Sequence, residues 1–115
     1  MKPNVLLVVL DSVRARNTSL HGHVNDTTPF LRSFAEGATT YTNARAPTTW
    51  SLPSHVSMFT GHHVAEHGLV SRSQRLVSGE TVWETLSEEH GYDTAVFSSN
   101  PFLTAVPVRA RREQQ

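Results

Sequence analysis

An unbroken apolar run near the amino terminus most constrains the fold of this chain. Residues 4–10 read Asn-Val-Leu-Leu-Val-Val-Leu and are followed by Asp11 and Ser12. A strand-length run without polar alternation is typical of a strand buried on both faces, as in a parallel sheet covered by helices. The run is far too short to cross a membrane, and Asp11 and Arg14 follow it without the small residues of a signal-peptide cleavage site. We therefore expect a buried β-strand here.

Helix and strand signals alternate along the rest of the chain. Pro at a first turn, capping residues and terminal glycines predict three helices, which begin near Thr28-Pro29, Ser51 and Thr81 and end near Gly37, Gly61 and Gly91. Runs rich in β-branched and aromatic residues predict further strands at 39–45 and 94–97. Strands that alternate with helices indicate an α/β fold, with a mostly parallel sheet flanked by helices.

Composition indicates one small domain without a bulk charge. The chain has 115 residues, with ten basic and ten acidic side chains and a formal net charge of zero. Nothing in this balance favours a nucleic-acid or membrane partner. The absence of cysteine excludes disulfides, thiolate metal sites and a cysteine nucleophile. Together with the lack of a leader or membrane span, it leads us to expect a cytoplasmic location.

Two polar residues stand where open α/β sheets bind anionic ligands. Asp11 follows the first predicted strand, at the carboxyl end where such sheets place their ligands. Ser51 opens a predicted helix, where backbone N–H groups and the helix dipole attract phosphate or sulfate and stabilise an oxyanion. Each residue also has a purely structural explanation, Asp11 as a turn residue and Ser51 as a helix N-cap. The residues alone leave both explanations open.

The joint order of several short motifs resembles the N-terminal quarter of a sulfatase, a family of the alkaline-phosphatase superfamily. The matching pieces are Pro3-Asn-Val-Leu-Leu-Val-Val-Leu-Asp11, Thr28-Pro29, Phe34-Ala-Glu-Gly37, Thr42-Asn-Ala44, Ala46-Pro47, Ser51-Leu-Pro-Ser54, Phe59-Thr-Gly61, His67-Gly68 and Gly91-Tyr92. Each piece is weak alone, but their order is specific. The resemblance implies the first, incomplete part of an alkaline-phosphatase-like α/β catalytic domain over residues 1–104. A divergent polar tail at 105–115 is expected to be disordered.

This resemblance implies a metal-dependent hydrolase of sulfate esters. Asp11 would ligate a divalent ion, with Ser12 as a weak ligand; Ca²⁺ is the metal implied by the family, and Zn²⁺, Mn²⁺ and Mg²⁺ stay open. Ser51 aligns with the family's nucleophile, which is also a ligand of the metal. In the family this residue is the first of a Cys-x-Pro-Ser-Arg signature. The Cys or Ser at that position can be matured to formylglycine. A cation screens the ester charge while the nucleophile attacks in line with the leaving oxygen. His67, in the family's His-Gly element, would contact substrate oxygens or act as a general acid or base.

Three departures from the family pattern narrow this expectation. Ser12 stands where related families have a second Asp. The signature's Arg is His55, which we expect either to hydrogen-bond near Ser51 as a catalytic residue or to lie on the surface. The second family signature carries a sulfate-contacting Lys, but the stretch from Gly91 to Asn100 has none. These departures argue against formylglycine. They favour, as an alternative, hydrolysis or transfer of phosphate esters, phosphonates or phosphodiesters by unmodified Ser51.

The resemblance fades beyond Leu103, and the family's remaining metal ligands come late in chains several times longer. Asp11 and Ser51 alone cannot supply the roughly four to six ligands that a divalent ion needs. We therefore expect a truncated piece that is inactive alone, with a small sulfate or phosphate ester as the ligand of the complete site. An unpaired sheet edge would favour self-association. A non-catalytic α/β interaction module is the third alternative.

Overall fold

The computed structural model describes residues 2–74, 76, 81–101 and 103, and the regular elements among them are helical. The α-helices are α1 (Pro29–Ala35), α2 (Ser51–Thr60), α3 (Val64–His67) and α4 (Val82–Glu88). Two short 3₁₀ helices precede them at Ala15–Asn17 and Ser19–His21. None of the described helices is long and apolar enough to cross a membrane. The chain divides into two compact units, Met1–Arg45 and Ala46–Gln115. The predicted tail at 105–115 lies outside the described residues.

Hydroxyl groups rather than apolar side chains organise the first unit. The N–H of Ser19 donates to Thr27 Oγ1 at 3.1 Å, and the N–H of Thr28 donates to Ser19 Oγ at 3.0 Å. These bonds tie the second 3₁₀ helix to the residues that precede α1. Thr18 and Ser19 are the buried residues in the described part of this unit. Its described residues therefore contain no apolar core.

The apolar run at residues 4–10 forms no strand in this structure. Val5 and Leu6 are 71% and 86% exposed, and none of the side chains from Val5 to Leu10 is buried. The strands predicted at 39–45 and 94–97 do not form either, because none of the described residues belongs to a β-strand. A strand gains its stability from a paired neighbour and from the layer that covers its face, and a local apolar pattern specifies neither. The predicted parallel sheet is therefore not confirmed.

The second unit contains an apolar core built on α2. The buried apolar residues of this core are Leu52, Val56, Phe59, Leu69, Leu76 and Leu103, with Trp50 and Trp83 packed against them. Val56 and Phe59 are three residues apart on one face of α2 and are 0% and 5% exposed. The rings of Phe59 and Trp83 meet edge to face with centroids 5.8 Å apart. This contact anchors α4 on α2.

The helix boundaries in the second unit follow the sequence signals. Gly61 ends α2 with a φ of 75°, and its N–H donates to the carbonyl of Ser57 at 2.9 Å. Thr81, where a helix was predicted to begin, forms a capping box with Glu84 at the start of α4. The Glu84 N–H donates to Thr81 Oγ1 at 3.3 Å, and the Thr81 N–H donates to Glu84 Oε2 at 3.1 Å.

Two predicted helices bury less apolar surface than their patterns suggest. Phe30 and Phe34 of α1 stack with centroids 6.1 Å apart, yet they remain 75% and 64% exposed. Val82 of α4 is 42% exposed, because Trp83 rather than Val82 is directed at Phe59. Helical spacing predicts which side chains share a face but not what covers that face.

Candidate functional site

Ser51 is the first residue of α2. Trp50 occupies the N-cap position before it, with extended backbone angles of φ −116° and ψ 137° and no side-chain capping bond. Ser51 therefore lies one position inside the helix rather than at the N-cap. The half-buried residue stands at the positive end of the helix dipole. No acidic residue in the first turn of α2 offsets that potential.

His55 packs directly against the backbone of Ser51. Its Nδ1 lies 2.7 Å from the carbonyl oxygen of Ser51. A carbonyl only accepts, so Nδ1 carries the hydrogen and donates it. The imidazole ring also meets Phe59 edge-on, with centroids 5.9 Å apart, and His55 is 6% exposed. His55 therefore contacts Ser51 and does not lie on the surface, and its role as a catalytic residue stays a prediction.

Two hydroxyl side chains hold the loop before Ser51, and neither was predicted to have a role. Ser54 Oγ donates to the carbonyl of Thr48 at 3.0 Å and accepts from the N–H of Thr48 at 3.2 Å. Thr48 Oγ1 donates to the carbonyl of Trp50 at 2.9 Å and accepts from the N–H of Trp50 at 3.1 Å. Threonine side chains just before a helix often hydrogen-bond to nearby backbone groups. The position of Thr48 in the sequence could therefore have predicted its role in this loop.

His67 ends α3 and contacts α2 at Ser57. The N–H of Leu69 donates to His67 Nδ1 at 3.0 Å, so a neutral His67 carries its hydrogen on Nε2 and donates it to Ser57 Oγ at 3.1 Å. With a rise of about 1.5 Å per residue, Ser57 lies about 9 Å along α2 from Ser51. Both ring nitrogens of His67 thus have protein partners. Its contact with substrate oxygens stays a prediction.

Asp11 and Ser12 lie in the first unit, in a turn that follows the apolar run. The N–H of Val13 donates to the carbonyl of Leu10 at 3.3 Å across this turn. Ser12 has a φ of 64°, in the left-handed region that residues other than glycine seldom adopt. Such a backbone conformation costs about 1–2 kcal/mol for an L-residue. Strain of this kind is concentrated at functional turns. The role of Asp11 as a metal ligand stays a prediction.

The described residues do not by themselves assemble a metal site. Among them, no group of three or more His, Cys, Asp or Glu side chains is placed to hold an ion. Ca²⁺ takes about six to eight oxygen ligands, and structural zinc takes about four ligands. Asp11 and Ser12 offer one carboxylate and one hydroxyl, so they do not fit a divalent ion without additional ligands.

A sulfatase family model matches residues 3–103 of the chain. The chain belongs to the sulfatase family. It is 30% identical over 94 residues to an ulvan-active sulfatase of Formosa agariphila, a match that covers 82% of this chain and 18% of that protein. It is 33% identical over 97 residues to arylsulfatase K of Bos taurus, covering 83% and 18% of the two chains. The human arylsulfatase K is 32% identical over 97 residues, with the same coverage of 83% and 18%. No solved structure was found to match.

The match confirms the predicted family. Sulfatases are sulfuric ester hydrolases with an alkaline-phosphatase-like α/β fold, and the family generally uses a divalent metal ion and formylglycine. The chain spans about 18% of the length of the relatives described above. The described residues show helices of the matched region but not its sheet.

Proposed function

We propose that this chain carries the nucleophile segment of a sulfatase-like hydrolase that acts on small sulfate esters. The observation that carries the proposal is the position of Ser51, which opens α2 inside the region matched by the family. A hydroxyl at a helix N-terminus lies where the dipole and backbone N–H groups stabilise negative charge on a transferring sulfate group. In the sulfate reaction the attacking hydroxyl belongs to the hydrated formylglycine matured from Ser51. Its oxygen forms a bond to sulfur as the ester S–O bond breaks on the opposite side, its proton passes to a neighbouring base, and the leaving oxygen takes up a proton.

The other predicted site residues have separate proposed roles. Asp11 is the proposed ligand of a divalent ion, Ca²⁺ by family preference, whose further ligands would come from beyond the described residues. His55 supports the backbone of Ser51 through the bond from Nδ1. His67 is proposed to reach substrate oxygens, or to exchange a proton with them, when its bond to Ser57 opens.

Phosphate-ester chemistry by unmodified Ser51 is the second candidate function. Serine rather than cysteine stands at the nucleophile position, and the single Lys of the chain is Lys2. The sulfate-contacting Lys of the second signature is therefore missing. In this alternative the Ser51 oxygen forms a bond to phosphorus as the ester P–O bond breaks, and the hydroxyl proton passes to a neighbouring base.

Mass spectrometry of the peptide that contains Ser51 separates the two chemistries. Formylglycine is lighter than serine by the mass of one hydrogen molecule. Fragmentation assigns any such loss to Ser51 rather than to Ser54 or Ser57, which serve as internal controls. An unmodified Ser51 supports the phosphate-ester alternative, and a lighter residue at this position contradicts it.

We also propose that the 115-residue chain does not turn over either ester by itself. Its described residues contain no cluster of three metal-ligating side chains. Release of nitrophenol from p-nitrophenyl sulfate and p-nitrophenyl phosphate, measured with CaCl₂, tests this point. We expect the chain, Ser51→Ala and Thr60→Val to show the same background. Release that is lost in Ser51→Ala but kept in Thr60→Val would contradict inactivity, while supporting Ser51 as the nucleophile.

A further inference from the structure

Side chains hold the backbone carbonyls on both sides of the Ser51 Cα. Before it, the carbonyl of Trp50 accepts from Thr48 Oγ1 at 2.9 Å. After it, the carbonyl of Ser51 accepts from His55 Nδ1 at 2.7 Å. The N–H of Ser54 adds a helical bond to the Trp50 carbonyl at 3.3 Å. Both peptide planes that flank Ser51 therefore have donors beyond the ordinary helical pattern.

Thr48 and Ser54 form a hydroxyl pair ahead of Ser51, with their oxygens 3.2 Å apart. Each hydroxyl has one proton to donate. The Thr48 hydroxyl donates to the carbonyl of Trp50, and the Ser54 hydroxyl donates to the carbonyl of Thr48. Each hydroxyl oxygen also accepts one backbone hydrogen bond. Thr48 Oγ1 accepts from the N–H of Trp50, and Ser54 Oγ accepts from the N–H of Thr48. Ser54 is 8% exposed, so water has little access to replace these bonds. Two side chains thus satisfy four backbone groups of the loop.

We propose that Thr48 and Ser54 are positioning residues that fix the peptide preceding Ser51 and thereby orient the Ser51 hydroxyl. The inference rests on the proposed function, in which Ser51 is the nucleophile. Trp50 makes no side-chain capping bond, so the start of α2 depends on this pair instead. Misplacement of a reacting group by about 1 Å costs about 100-fold in rate, so fixing the peptide that carries the nucleophile has a direct chemical consequence.

Backbone dynamics at Ser51 test the proposal without requiring turnover. Thr48→Val keeps the side-chain shape but removes the hydroxyl, and Thr48→Ser restores the hydroxyl. Thr60→Val is the matched control, because Thr60 Oγ1 donates to the Val56 carbonyl at 2.8 Å near the other end of α2. We expect the ¹⁵N order parameter of Ser51 to fall from about 0.85 to below about 0.6 in Thr48→Val. It should recover in Thr48→Ser and stay unchanged in Thr60→Val.

An unchanged order parameter in Thr48→Val would overturn the proposal, and so would an equal fall in Thr60→Val, since the effect would then be general. If Thr48→Val does not fold, Ser54→Ala is measured in the same way, with Ser54→Thr as its rescue. A titration with inorganic sulfate adds the link to function. We expect Thr48→Val to weaken sulfate binding at Ser51 by at least about threefold, and Thr60→Val to leave it unchanged. A chain that binds no sulfate but shows the expected dynamics contradicts the proposed function and still supports the positioning pair.

Discussion

His55 Nδ1 donates a 2.7 Å hydrogen bond to the backbone carbonyl of Ser51, one turn earlier in α2. The bond is shielded from water, because His55 is buried and its ring packs edge-on against Phe59. A neutral imidazole carries one hydrogen, so this donation leaves Nε2 as an acceptor. His55 therefore takes part in holding Ser51 through the backbone, and its side chain has a defined tautomer.

The tautomers of His55 and His67 are predicted to be opposite. His55 should carry its hydrogen on Nδ1, whereas neutral His67 should carry it on Nε2, because the N–H of Leu69 donates to His67 Nδ1. Long-range ¹H–¹⁵N NMR correlations of the imidazole rings distinguish the two forms, and each histidine is the control for the other. A neutral His55 protonated on Nε2 would contradict the contact with Ser51.

Truncation of a valine to alanine should destabilise the protein when the valine is buried in the core, but not when it lies in the exposed apolar run. Val56 is 0% exposed and Val5 is 71% exposed. We expect Val56→Ala to lower the free energy of unfolding by about 2 kcal/mol, through lost burial and the cavity it leaves. We expect Val5→Ala to change it by less than about 0.5 kcal/mol. Urea denaturation measures both. Equal losses would mean that residues 4–10 pack as a buried strand, against the structure.

Replacement of Gly61 by alanine should destabilise the end of α2. Gly61 has a φ of 75° with open space around an added Cβ, so the cost is backbone strain rather than a clash. We expect Gly61→Ala to lower the free energy of unfolding by about 1 kcal/mol. Gly37 has equally open space without a left-handed φ, so Gly37→Ala is the control and should be neutral or slightly stabilising. If thermal unfolding shows Gly37→Ala to be less stable than Gly61→Ala, the result would contradict the left-handed end of α2 at Gly61.

The capping box at the start of α4 should contribute measurably to stability. Thr81 is 1% exposed, and its hydroxyl accepts from the Glu84 N–H and donates to Glu84 Oε2 at 2.8 Å. Thr81→Ala should lower the free energy of unfolding by about 1 kcal/mol or more, because a buried carboxylate loses a donor. Thr81→Ser keeps the hydroxyl and should retain most of the stability. Equal losses in the two variants would indicate that the methyl group rather than the hydrogen bonds is responsible.

The helices were predictable from sequence because their signals are local. The Ser51 helix is bounded by residues whose conformational preferences act within one or two turns, and Gly61 adopts the left-handed conformation expected of a stop residue. Thr81 and Glu84 meet at capping-box spacing for the same reason. Motif order likewise identified the family, since it depends on sequence alone.

The strands and the environment of Ser51 were harder to predict because they depend on partners distant in sequence. Nothing within residues 4–10 specifies which segment pairs with them, and their burial was not confirmed. The one-turn helix α3 at Val64–His67 was missed because its signal is too short to separate from a loop. The pairing of Thr48 with Ser54 across the start of α2 depends on the fold of the loop rather than on a periodic pattern.

Titration of the ¹⁵N-labelled chain with inorganic sulfate tests most directly whether Ser51 lies in an anion-binding site. We expect saturable shifts centred on the amides of Ser51 and Leu52, with affinity weakened by at least about threefold in Ser51→Ala and unchanged in Thr60→Val. Shifts that spread along the chain without centring on Ser51, or that are the same in Ser51→Ala as in the unaltered chain, would contradict a sulfatase-like role for Ser51.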